Sequence, residues 1–191
     1  MSNKILFLAG SARKDSMNKK LARHAYEVAL SKGADATFID LKDFSMPIYD
    51  GDDEAESGLP KNALKLKQIF VEHQGLFIAS PEYNSSFSPL LKNALDWISR
   101  PGSKDEKPLI AYAGKVAALS AASPGHYGGI RGLVPLRMML GNIQVNVLPQ
   151  QVAIPFYGKA FNDQGVLEDE NSIMLIDTLV SQLIEHVKLL N

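Results

Sequence analysis

The stretch Ile5-Leu6-Phe7-Leu8-Ala9-Gly10-Ser11-Ala12-Arg13-Lys14-Asp15-Ser16-Met17-Asn18 decides the fold. Its first five residues are apolar without a polar break, the pattern of a strand covered on both faces. Gly10 and Ser11 end that run, and from Asn18 to Leu30 the residues Leu21, Ala22, Ala25, Val28 and Ala29 recur at helical spacing. Lys32-Gly33 closes the helix. A buried strand, a short polar turn and an amphipathic helix make the opening unit of a β/α repeat.

The alternation continues along the chain. Ala36 to Leu41 reads as a second strand, and Lys42 to Pro60, rich in Pro, Gly and acids, as a long loop. A helix is expected over Lys61–His73, a third strand over Gly75–Ala79, and a helix over Pro89–Ser99 with Pro89 in its first turn, where no amide is needed. Val116–Ala122 is a fourth strand, Ile130–Leu140 a helix, Ile143–Leu148 a fifth strand, and Ser172–Leu190 a closing helix. Strands without polar alternation need cover on both faces, which the intervening helices supply. The expected fold is therefore α/β, a three-layer sandwich on a five-stranded parallel sheet, with residues 1–191 as one domain; the strand order 2-1-3-4-5 is expected by analogy with flavodoxin-like folds. In such sheets ligands bind beyond the carboxyl ends of the strands, where the strand order reverses.

Composition narrows the class. At 191 residues, with 46% hydrophobic and 21% charged residues, the chain is ordinary for a globular protein. Twenty Lys plus Arg against 21 Asp plus Glu leave a net charge of −1, which argues against nucleic-acid partners, since these demand a basic excess. No apolar run approaches a membrane span, and the absence of cysteine excludes disulfides, thiolate metal sites and cysteine nucleophiles. A cytoplasmic location is expected.

Three loops carry the unusual residues. The first, Gly10 to Asn18, brings Ser11, Arg13, Ser16 and Asn18 to a helix start, where backbone amides and the helix dipole favour an anion and a guanidinium suits phosphate. Capping by Ser16 or Asp15 accounts for one of these residues but not for the set. The second, Ser80 to Pro89, has two prolines and places Tyr83 among amide and hydroxyl groups, a rigid wall of the kind a flat polar ring needs; a structured turn explains it equally if it stands alone. The third, Ala122 to Gly132, holds glycines at 125, 128, 129 and 132, which permit close approach of a ligand. No loop matches a Walker motif or the dinucleotide Gly-x-Gly-x-x-Gly pattern, and no Gly-x-Ser-x-Gly elbow is present. The acidic run Asp50 to Glu56 lacks the ligand pattern of a calcium loop and reads as a solvated segment. Of the four histidines, only His126 falls in a candidate site loop.

Taken together, GSARKDSMNKKLA at 10–22, SPEYNSSFSPLLKNALDWISRP at 80–101 and SAASPGHYGGIRG at 120–132 resemble the NAD(P)H-dependent FMN reductase family, which includes quinone and chromate reductases. The resemblance implies noncovalent FMN, with NADPH or NADH as co-substrate and a quinone, free flavin or similar oxidant as electron acceptor. It implies a homodimer or homotetramer. Carried onto this chain, Ser11, Arg13, Ser16, Met17 (through its amide) and Asn18 would hold the phosphate. Pro81, Glu82, Tyr83 and Asn84 would border the ring and ribityl chain, and Ser123, Gly125, His126 and Gly128 would close the other side. The flavin performs the chemistry in this reading, so no catalytic side chain and no metal ligand are expected. The alternative is a flavodoxin-like electron carrier without NAD(P)H turnover; such carriers tend to be strongly acidic for docking, unlike this chain.

Overall fold

The computed structural model describes residues 3–190. Five strands form one parallel sheet: β1 (Ile5–Ala9), β2 (Ala36–Phe38), β3 (Gly75–Ala79), β6 (Val116–Ala122) and β7 (Asn146–Ile154), in the order β2-β1-β3-β6-β7. This is the expected 2-1-3-4-5 arrangement, because β4 (Glu82–Tyr83) and β5 (Ser86–Phe87) form a separate small antiparallel hairpin.

Period-two alternation sorts the strand side chains into two cores. Ile5, Phe7 and Ala9 face one side with Phe77, where α1 (Met17–Ser31) and α6 (Glu170–Leu190) cover them through Leu21, Ala25, Leu179 and Leu183. Leu6, Leu8, Leu76 and Ile78 face the other, beneath α3 (Lys61–Glu72), α4 (Pro89–Ser99) and α5 (Ile130–Asn142), with Phe70, Leu95 and Leu136 against them. Every residue of β1, β3 and β6 is buried, which is why β1 and β3 carry no polar residue and β6 only Ser120.

Three segments depart from the sequence reading. The second strand stops at Phe38, and Asp40 then caps a single 3-10 turn over Leu41–Asp43. Within the expected 42–60 loop, Asp50 caps a short helix, α2 (Gly51–Ser57), whose first turn holds Asp52, Asp53 and Glu54, the charge that a helix start favours. That segment is pinned down: Trp97 Nε1 and Asn93 Nδ2 both donate to Pro47 O at 2.8 Å, and Arg100 pairs with Glu54 at 2.8 Å. The fifth strand runs over 146–154 rather than 143–148, because Ile143 ends α5 and Gln144 turns the chain at φ +68°.

Candidate functional site

The loops after β1, β3 and β6 meet at one edge of the sheet. Gly10 N donates to Ala79 O at 2.9 Å, and Ser80 N to Ser120 O at 2.8 Å, so the three strand ends are level. Side chains then tie the loops together. Ser88, the N-cap of α4, donates to Gly10 O at 2.5 Å while accepting from Leu91 N. Asn18 reaches 104 residues along the chain: its side-chain amide donates to Ala122 O and accepts from Ala122 N, both at 2.9 Å. Glu82 accepts from the Arg131 guanidinium at 3.0 Å and from Gly132 N at 3.4 Å, which fastens the hairpin to the start of α5.

A cleft opens where these loops converge, lined by Ser11, Arg13, Ser16, Met17, Asn18, Pro81, Glu82, Tyr83, Ala122, Ser123, Pro124 and Tyr157. Its recess holds about 140 Å³ and is open to one side. The floor is the N-terminus of α1. Ser16 takes the cap position, accepting from Lys19 N, while the amides of Met17 and Asn18 lie in the first turn, where a helix offers no acceptor. Ser11 and Ser16 are buried and use their hydroxyls only as acceptors from backbone amides, so both hydroxyl protons are available. Arg13 is exposed and has no carboxylate partner among the described residues, whereas Glu82, the cleft's acid, is already neutralised by Arg131. The recess is thus electropositive and rich in donors, the chemistry a phosphate requires.

The opposite end is bounded by the β4–β5 hairpin. Tyr83 and Ser86 pair across a two-residue turn in which Asn84 and Ser85 stand at φ +52° and +66°, the backbone of a tight hairpin that matches strand twist. Pro81 and this hairpin form one wall, and Ala122, Ser123, Pro124 and Tyr157 the other. A mononucleotide is too large for the recess alone. Its phosphate end fits there, and a flat ring system would extend over the open edge between the two walls.

Nine of the thirteen expected site residues line this cleft: Ser11, Arg13, Ser16, Met17, Asn18, Pro81, Glu82, Tyr83 and Ser123. Asn18 presents its backbone amide, since its side chain is committed to Ala122. The other four lie outside the lining. Asn84 occupies the exposed hairpin tip. His126 is exposed, with its ring 5.4 Å from that of Tyr127 and 5.7 Å from that of Phe156. Gly125 accepts at its carbonyl from Gly128 N and Phe156 N. Gly128 stands at φ +60°, and a Cβ there would fall 2.8 Å from the backbone of Ile154 and Pro155, so this position shapes the loop. The cleft also takes in Ala122, Pro124 and Tyr157. Tyr157 follows β7, and the aromatic pair Phe156-Tyr157 just past a strand's carboxyl end is the signal that could have found it. Among the described residues no cluster of His, Asp or Glu is arranged to hold a metal.

A flavodoxin-like α/β fold with an anion-ready turn after its first strand defines a class of mononucleotide-binding protein. The profile of the NADPH-dependent FMN reductase family matches residues 3–159, and the chain belongs to that family. It is 34% identical over 182 residues to an NAD(P)H-dependent FMN reductase of Pseudomonas aeruginosa, covering 94% of this chain and 92% of the relative. A quinone reductase of Escherichia coli is 32% identical over 181 residues, with 94% and 90% covered. In structure the chain is similar to FerB, a flavoenzyme NAD(P)H:(acceptor) oxidoreductase from Paracoccus denitrificans, with a TM-score of 0.80, 26% identity and 97% of each chain covered.

Proposed function

We propose that this protein is an NAD(P)H-dependent FMN oxidoreductase that passes electrons to quinones, free flavin or similar small oxidants. One observation carries the reading: a donor-rich helix start and an open edge bordered by Pro81, Tyr83, Ser123 and Pro124 share a single cleft, as the phosphate and the ring of one mononucleotide require. FMN, when bound, supplies the redox chemistry.

The chain's own residues bind and orient. Ser11, Arg13, Ser16 and the amides of Met17 and Asn18 hold the phosphate. Pro81, Glu82, Tyr83 and Asn84 border the ring and ribityl chain, largely with backbone groups, while Ser123 and the turn through Gly125, His126 and Gly128 flank the far side. Arg131 matters indirectly: by taking up the Glu82 carboxylate it keeps that charge from opposing electron density on the ring. Proton transfer by a side chain is not required, and none is assigned a catalytic role. The open side of the cleft would admit a reduced nicotinamide and then a flat acceptor in turn.

The proposal includes a cytoplasmic homodimer or homotetramer. Supporting self-association, α5 exposes Ile130, Val134 and Met138, spaced four residues apart on one face and 40%, 62% and 72% accessible. The test is an NAD(P)H oxidation assay of the FMN-loaded protein with menadione or free FMN as acceptor. Steady turnover is expected. Bound flavin without turnover would favour the electron carrier instead, and failure to bind FMN would overturn the reading.

A further inference from the structure

A second cleft, of about 240 Å³, lies between α1 and the 164–167 segment. Lys20, Arg23, His24 and Glu27 line it from the helix, and Gln164, Gly165, Val166 and Leu167 from the loop. Residues three and four apart share a helix face, so Lys20, Arg23 and His24 converge. Their neighbours are paired, Lys19 with Asp40 at 2.6 Å and Lys32 with Asp177 at 2.9 Å. Lys20 and Arg23 have no carboxylate partner among the described residues; Arg23 lies over the Phe38 ring at 4.1 Å, which fixes its plane. Glu27 is the one acid in the lining.

Two details mark this as a prepared surface. His24 Nε2 is buried yet has no hydrogen-bond partner. Burial lowers the pKa of that ring, against the opposing pull of Glu27 and Asp177. Gly165 stands at φ +76°, and a Cβ there would meet Lys20 Nζ at 2.0 Å. A side chain there would have to push the Lys20 ammonium off the loop, and the left-handed backbone independently favours glycine. Val166, 55% accessible, adds an apolar wall beside the cations. Two cations without carboxylate partners beside an apolar wall suit a phosphomonoester carried on a flat heterocycle.

The cleft also lies within reach of the first one. Lys20 N donates to Ser16 O at 3.1 Å, so Lys20 sits one turn, about 6 Å, along α1 from the cap that faces the first cleft, and His24 about 12 Å. A dinucleotide whose nicotinamide lies at the open edge would have to run back over the α1 turn to reach this place. We propose that the cleft between α1 and residues 164–167 is a phosphomonoester subsite that takes the 2′-phosphate of NADPH and makes the chain prefer NADPH to NADH. The preference rests on the proposed NAD(P)H activity; binding at the subsite does not.

The test is calorimetric titration of the full chain, loaded with FMN, with adenosine 2′-monophosphate, adenosine and inorganic phosphate. Wild type is compared with Lys20→Gln, Arg23→Gln and the conservative Lys20→Arg. Adenosine 2′-monophosphate is expected to bind far better than adenosine, to be displaced by phosphate, and to weaken about tenfold in Lys20→Gln and in Arg23→Gln, the loss of one charged hydrogen bond. Lys20→Arg should restore most of the affinity. In turnover the KM for NADPH relative to that for NADH should rise by a similar factor in the two Gln variants. Binding of adenosine 2′-monophosphate no tighter than adenosine, or insensitive to both substitutions, would overturn the subsite. Phosphate binding that is sensitive to the substitutions but is not displaced by adenosine 2′-monophosphate would overturn the NADPH assignment. Retained nucleotide binding without oxidation of either coenzyme would support the subsite and refute the functional reading of the first cleft.

Discussion

Replacing Asn18 by Ala should loosen the floor of the first cleft. Asn18 is 4% exposed, and its side chain satisfies both backbone polar groups of Ala122, at 2.9 Å each. Truncation leaves a buried N–H and a buried C=O without partners. Each such orphan costs about 1–3 kcal/mol, and because Ala122 borders a cleft that admits water, the total falls near the low end, about 2–3 kcal/mol. For a chain of this length that corresponds to a melting midpoint lowered by about 4–12 °C. The same change uncouples the first turn of α1 from the end of β6, so FMN affinity should fall with stability. Asn18→Asp separates the two effects. It keeps an acceptor for Ala122 N–H, sets a carboxylate against Ala122 O, and brings negative charge beside the amides assigned to phosphate. Its FMN affinity should therefore fall below that of Asn18→Ala. Scanning calorimetry of the flavin-free proteins and fluorescence titration with FMN measure the two quantities. If Asn18→Ala melts within about 1 °C of wild type and binds FMN equally well, the Asn18–Ala122 link does not hold the site.

Arg13→Ala should weaken FMN binding roughly tenfold, the value of one charge-assisted contact at an exposed position, while riboflavin binding stays as it was; a fluorescence titration with both ligands distinguishes these outcomes. Gly128→Ala forces a side chain into a left-handed backbone and against Ile154 and Pro155, so urea denaturation should show a loss of about 2–4 kcal/mol. His24 and His73 both have pKa values lowered chiefly by burial, and His73 holds Ile69 O at 2.6 Å and Thr37 Oγ1 at 2.9 Å. The unfolded chain therefore takes up protons before the native one. Stability should be full above the ordinary histidine value of 6.5 and decline as pH falls through it, with His73→Gln flattening the decline in melts between about pH 7.5 and 5.

The sheet was legible because its central strands are buried on both faces and have to be apolar throughout, as Ile5–Ala9 and Gly75–Ala79 are. The edge strand obeys a weaker rule. β7 pairs only with β6, so its free side tolerates Pro149, Gln150 and Gln151, and Arg137 covers part of it by donating to Val147 O, Pro149 O and Gln151 Oε1. Those polar residues look like a strand's end at Leu148 when they lie in its middle. That displacement also hid Tyr157, since the true end of β7 at Ile154 delivers it to the cleft. The phosphate turn could be read locally because a helix start and its donors are contiguous. The contacts that assemble the site could not: Asn18 with Ala122, Ser88 with Gly10, and Glu82 with Arg131 join residues 104, 78 and 49 positions apart. Likewise, the 42–60 segment is fixed by Trp97 and Asn93, which no local pattern connects to Pro47.

A crystal structure of the FMN-loaded protein tests the central claim most directly. The phosphate should lie within hydrogen-bond reach of the Ser16, Met17 and Asn18 amides and of Arg13, with the ring between Pro81–Tyr83 and Ser123–Pro124. A flavin bound at any other edge of the sheet, or seated with its phosphate away from the start of α1, would contradict it.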